Sequence, residues 1–380
     1  MVVIARYLNV TLIVPLFDNG TYWNDNSTFA DIYDLNYFIT SLRDEVHIIE
    51  ELPPPLKEID DSEPHYSMVP NAFSSLTYYY EKVLPRFEKR NVVHFSLTDA
   101  RLANNGLPDE VQKLRCRVNY EAMRFTQPIQ ETGQKIVRRL RENGPFVVLH
   151  LRYEKDMVSF TGCVEGLTPQ EIKEVTEMRY SYDDWKHKGI NSKRRRQEGS
   201  CPLTPEETLL VLQGLGIEKS STIYIAAGRI YNEEKRMVNL TMTYPNLVRK
   251  EVVLQPWELR PFLNHADQMA ALDYIVAIES DIFIPTFGGN MAKSVEGHRR
   301  YLGFKPTILL DRMALVKLID GYRDGTLDWD EFSLLVKQYH EDRIGKPARR
   351  MENPDKPRYE DFFYANPQEC LHPFPPADQQ

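Results

Sequence analysis

Residues 146–157 read Phe146-Val147-Val148-Leu149-His150-Leu151-Arg152-Tyr153-Glu154-Lys155-Asp156-Met157. The apolar run at its start is that of a strand buried on both faces. Similar runs occur at Thr222–Ala226, closed by Ala227-Gly228, and at Ile282–Ile284, closed by Pro285. Helical patterns lie between and after them: one starting at Thr204 with Glu207 completing a capping box, then His265–Ile278 and a helix from Met291. Thr307–Leu310 reads as a last strand, followed by helices over Arg312–Gly321 and Trp329–His340. Strands alternating with helices predict a parallel sheet with crossovers.

Upstream, Val2–Leu8 reads as the middle of an amphipathic helix, with no capping residue before it. Thr11–Val14, Val46–Ile49 and Val92–Phe95 read as strands. Residues 52–70, rich in proline and acid, read as a surface loop. Glu110–Glu142 has the periodicity of one helix, stopped at Asn143-Gly144-Pro145. The expected architecture is α/β: two Rossmann-like domains facing a cleft, over residues 1–143 and 144–345. A proline-rich tail, 346–380, wraps the surface. The first domain is expected to be incomplete at its start.

The 380 residues suit two domains. A composition 42% apolar and 27% charged is that of a globular chain, and the net charge of −8 argues against a nucleic-acid partner. The basic run Lys193–Arg196 reads as a solvated loop. No apolar run approaches the roughly 20 residues that span a bilayer, so any membrane attachment requires an anchor outside these residues. Cys116, Cys163, Cys201 and Cys370 contain no CxxC pair, which argues against a zinc site and permits disulfides. Sequons at Asn9, Asn19, Asn26 and Asn239 lean toward a secretory compartment.

In open α/β sheets ligands bind at the carboxyl ends of strands. At the first such end, His150, Arg152 and Glu154 alternate onto one face. Arg152 there suits a diphosphate, held bidentately; a structural ion pair with Glu154 or Asp156 fits the same spacing. At the second, Gly228 permits close backbone approach, or is an ordinary turn. At the third, Thr286 and the Gly288-Gly289-Asn290 loop before a helix form an anion site, or simply a turn. Asp320–Glu331 resembles a calcium loop, but Tyr322 at the third ligand position favours a plain helix–turn–helix. No complete dinucleotide fingerprint is present, which excludes a Rossmann oxidoreductase.

Together, the 150–157 segment, Cys201-Pro202-Leu203-Thr204-Pro205-Glu206-Glu207, Ile223–Gly228, Gln268–Tyr274, Gly289–Lys293 with Glu296–Arg300, and Phe363–Cys370 resemble the plant O-fucosyltransferase-like family. The rhamnogalacturonan I rhamnosyltransferase branch is the most similar. The resemblance implies a two-domain GT-B fold and an inverting glycosyltransferase that needs no metal or other cofactor. It would move rhamnose or fucose from UDP-rhamnose or GDP-fucose to a cell-wall polysaccharide or glycan. It also implies Golgi residence, with a single-pass anchor in full-length members. Carried over by motif, Arg152 grips the donor phosphates, His150 lines the nucleotide site and Asp273 contacts base or ribose. Thr286, Gly289, Asn290 and Met291 hold phosphate, and Glu154 and Asp156 are candidate bases. The family's Gly-Gly-Leu-Asn-Gln-like loop has no counterpart before Ala5–Asn9, which makes an inactive binding or scaffold protein the alternative.

Overall fold

A computed structural model describes residues 1–17, 25–57, 65–96, 101–104, 106–186 and 188–371. It divides into two compact units, Met1–Ile129 with Pro347–Gln380, and Gln130–Lys346. The division falls ahead of the 143/144 boundary read from sequence.

In the first unit the helix Val2–Leu8 buries Val2, Val3 and Ala5 against Phe29, Phe38, Leu42 and Leu114. Asn9 caps it in the left-handed conformation, φ 53°, and is exposed. The strands are β1 (Leu12–Ile13), β2 (Ile48–Ile49), β3 (His65–Met68) and β4 (Val92–Phe95). They form two separate parallel pairs, β1–β2 and β3–β4. β3 corrects the reading of residues 52–70 as loop throughout.

The helix expected over 110–142 is broken. Asp109–Arg117 runs into a π turn, Val118–Ala122, and a new helix begins at Gln127. Between them Arg124 accepts a bond from Asp34 N–H, and Thr126 N–H donates to Ile32 O. Pro128 has no N–H to give an interior turn, so a helix can start at it but not run through it. The tail is held into this unit, not merely laid over it. Phe363 is fully buried under the Arg115 guanidinium, 4.0 Å from the ring centre, and Cys370 is disulfide-bonded to Cys116.

The second unit is built on one four-stranded parallel sheet. Its strands are β5 (Phe146–His150), β6 (Thr222–Ile225), β7 (Leu247–Val248) and β8 (Ile282–Pro285), in the order β7-β6-β5-β8. Every residue of β5 and β6 is buried, as their apolar runs require. Thr307–Leu310 is not a full strand: only Thr307 bridges Phe283. The segment divides its bonds, Ile308 N–H going to Phe283 O while Thr307 and Leu309 donate to Ile344 and Arg343. Arg299, fully buried, holds this edge by donating to the carbonyls of Ala277, Ser280 and Pro306. A second disulfide joins Cys163 to Cys201.

Two further readings resolve here. Lys193–Arg196 lies in a helix, Ser192–Gln197, and Arg196 is buried, pairing with Glu207 at 2.8 Å and Asp320 at 2.7 Å. Asp320 lies inside the helix Arg312–Asp324, and Asp328 caps the helix Trp329–His340. That geometry is a helix–turn–helix.

Candidate active site

The sheet order marks the position that ligands take in open α/β sheets in general. From β5 the chain crosses to β6 on one side; from β8 it continues to Thr307 on the other. The connections diverge between β5 and β8, and the crevice beyond their carboxyl ends is the topological switch point. Thr286 ties the two ends together. Its N–H and its hydroxyl both donate to His150 O, at 3.0 and 3.1 Å, and its Oγ1 accepts from Arg152 N–H at 3.1 Å. Thr286 is fully buried, and these bonds hold the ends of β5 and β8 together.

Arg152 leaves the end of β5 into a pair of carboxylates. Its Nη1 donates to Glu154 Oε2 at 2.5 Å, and its Nη2 to Asp156 Oδ2 at 2.9 Å. Burial alone would lower the guanidinium pKa, but the two carboxylates outweigh it and raise it. The other Glu154 oxygen accepts from Gly228 N–H at 3.1 Å. Gly228 therefore spends its amide on Glu154, and its carbonyl accepts from Arg249 at 2.7 Å. Glu154 and Asp156 are both engaged with Arg152, so neither stands as an unoccupied base.

His150 is buried, with Nδ1 2.8 Å from Ala226 O and its ring stacked on Phe283. Burial lowers its pKa and favours the neutral ring. Nδ1 then carries the proton and Nε2 remains an acceptor. Asp273 lies elsewhere. It sits in the helix Ala266–Glu279, buried, receiving Tyr224 Oη at 2.6 Å and Lys250 Nζ at 2.7 Å. Burial raises its pKa against the pull of Lys250 and Tyr224. Both oxygens of Asp273 are taken by these two partners inside the core. It holds Lys250, which also reaches Ala227 O at 3.3 Å and braces the end of β6.

Beyond β8, Gly289 is the N-cap of the helix Asn290–Tyr301, with no side-chain cap. The first amides of a helix have no intrahelical acceptor and carry partial positive charge. Asn290 is exposed, and Gly289 and Met291 are half-buried. One cation absent from the sequence reading is present here. The Arg312 guanidinium lies over the Phe287 ring at 4.7 Å, and its Nη1 is 3.7 Å from where a Cβ on Gly288 would stand.

Residues 1–302 match the family model described as GDP-fucose protein O-fucosyltransferase. The chain belongs to that family. It is 57% identical over 371 residues to rhamnogalacturonan I rhamnosyltransferase 1 of Arabidopsis thaliana, covering 98% of this chain and 73% of that one. It is 44% identical over 380 residues to O-fucosyltransferase 38 of the same plant, covering 98% and 72%. Among solved structures, POFUT1 in complex with GDP aligns with a TM-score of 0.46 at 14% identity, covering 80% of this chain and 91% of that one.

As an O-fucosyltransferase-family member the chain is a glycosyltransferase. Of the residues singled out from its sequence, the fold gathers His150, Arg152, Glu154, Asp156, Gly228 and Thr286 into one bonded group. Gly289, Asn290 and Met291 follow β8 on the adjoining loop and helix start. Arg312 and Gly199, whose carbonyl accepts from Arg312 Nε at 2.6 Å, went unread. An arginine opening a helix carries no signal by itself; only the packing brings it beside Gly288.

Proposed function

We propose that the chain transfers a deoxyhexose, rhamnose or fucose, from a nucleotide sugar to a hydroxyl of a cell-wall polysaccharide or glycan, with inversion and without a metal. The donor diphosphate lies in the crevice between β5 and β8. The carrying observation is that Arg152 at the end of β5 and the start of the 290–301 helix beyond β8 follow adjacent strands at the switch point of a parallel sheet, with Thr286 bonded to the Arg152 N–H. Guanidinium and helix-terminal amides suit the charge that grows on a departing phosphate.

In the reaction the acceptor oxygen forms a bond to the anomeric carbon as the bond from that carbon to the phosphate oxygen breaks. The nucleoside diphosphate leaves with the bonding electron pair, and the acceptor proton passes to a base. The rhamnosyltransferase likeness favours UDP-rhamnose; the family description favours GDP-fucose.

A Golgi lumen is the proposed location. The two disulfides suit an oxidising compartment. Sequon residues Asn9, Asn26 and Asn239 are exposed, while Asn19 lies outside the described residues. No helix among the described residues is long and apolar enough to cross a membrane.

Calorimetric titration with UDP and with GDP tests the donor reading. Selective UDP binding is expected of a rhamnosyltransferase-like site, and selective GDP binding of a fucosyltransferase. Binding of neither would favour the scaffold alternative.

A further inference from the structure

Arg152 enters the crevice already outnumbered by two carboxylates. A second guanidinium is differently placed. Arg312 is the first residue of the helix Arg312–Asp324, just beyond the edge segment that borders β8. Three contacts fix it. Nε donates to Gly199 O at 2.6 Å, the guanidinium carbon is 4.7 Å from the Phe287 ring centre, and Nη1 and Nη2 are 3.7 and 3.9 Å from a notional Gly288 Cβ.

These contacts spend Nε and one face of the fork. Among the described residues no carboxylate forms an ion pair with Arg312; its neighbour Asp311 instead faces Arg343 at 3.7 Å. Burial and the nearby Arg343 charge lower its pKa, with Asp311 opposing, as befits a positive charge with too little compensation. Gly199 is built for this approach. Its φ is +64°, and a Cβ there would stand 2.8 Å from Met313 N, so a side chain would force apart the two segments that seat Arg312.

We propose that Arg312 is a donor-binding residue whose Nη1 and Nη2 take a phosphate oxygen of the nucleoside diphosphate at the Gly288-Gly289 turn, with Gly199 as the positioning residue that sets the fork. The inference rests on the donor-site reading above. Arg312 supplies the net positive charge that Arg152, held by Glu154 and Asp156, does not.

The test is titration of the full chain, wild type, Arg312→Ala and Arg312→Lys, with UDP and GDP and with the matching nucleosides as competitors. Thermal melts run alongside. Loss of one bidentate charged contact is expected to weaken diphosphate binding about 10- to 100-fold while nucleoside binding is unchanged. Lysine restores charge without the fork and is expected to recover part of the affinity. If alanine fails to fold, the lysine variant decides. Diphosphate affinity equal to wild type in the variants, or equal loss for nucleoside and diphosphate, overturns the assignment while leaving the donor site standing. Failure of wild type to bind either diphosphate overturns the donor reading, and Arg312 with it.

Discussion

Glu154→Gln separates the two readings of Arg152. Glu154 Oε2 is 2.5 Å from Arg152 Nη1, and its other oxygen accepts Gly228 N–H. Glutamine keeps an acceptor for Gly228 and removes the charge. Unit charges about 4 Å apart interact by about 4 kcal/mol at an effective dielectric near 20. Both side chains keep 17% exposure, so screening and the competing Asp156 contact reduce the net to about 1–2 kcal/mol. If Arg152 grips the donor, the released charge strengthens diphosphate binding by about 5- to 30-fold. Arg152→Ala should then lower transfer by about 100- to 1,000-fold, the scale for losing a charge aimed at a leaving group. If Arg152 is only a structural ion pair, Glu154→Gln costs the same 1–2 kcal/mol of stability, as a rough figure, and leaves nucleotide affinity where it was. Calorimetry with UDP and GDP, paired with urea unfolding, reads both quantities on one sample. Unchanged affinity with lowered stability would refute the catalytic reading of Arg152.

The buried Glu171–Arg236 pair, 2.9 Å apart, sets an acid limit. Burial alone would raise the Glu171 pKa, but Thr168 N–H, Asn232 and Arg236 outweigh it and hold it at about 2 against an ordinary 4.5. Between those values the unfolded chain binds a proton that the folded one does not. Stability present above pH ~4.5 is therefore lost as pH falls toward ~2, by about 3 kcal/mol. Urea midpoints from pH 6 to 3 should fall less steeply in Glu171→Gln than in wild type; parallel slopes would exclude this pair as the cause. The Cys163–Cys201 disulfide closes a 38-residue separation, for which chain entropy gives about 4 kcal/mol. The double Cys163→Ser, Cys201→Ser variant should unfold at correspondingly lower urea; a loss under about 1 kcal/mol would show that the 155–201 segment is held by its other contacts.

The core of the second unit was legible because β5, β6 and β8 are short apolar runs ended by Gly or Pro, and burial on both faces demands that pattern. Elsewhere local pattern misled. Pro128 was the one mark of the break inside the helical periodicity of 110–142; the pairing of the segment before it with Ile32 and Asp34 comes from a distant part of the chain. β3 sits in a segment whose prolines and acids advertise a loop, and its partner β4 is distant in sequence. Arg196 reads as one more solvated base until the fold sets it against Glu207 and Asp320. The site followed the same division. Arg152, Thr286 and the Gly289 loop are visible as polar residues at strand ends. The burial of Asp273, and the approach of Arg312 to Gly288, depend on which distant elements meet.

The first unit is made from both ends of the chain, Met1–Ile129 and Pro347 onward, while Gln130–Lys346 is uninterrupted. During synthesis the second unit is complete before the residues that finish the first have been made. Cys116 must wait through a separation of 254 residues for Cys370, whereas Cys163 meets Cys201 after 38. For that interval Cys116 is an unsatisfied thiol on an unfinished body, beside two cysteines that form a local loop sooner. Because domains fold as units in the order they are made, early closure of the Cys163–Cys201 pair would leave Cys370 as the partner, among these four cysteines, for Cys116 when the tail emerges.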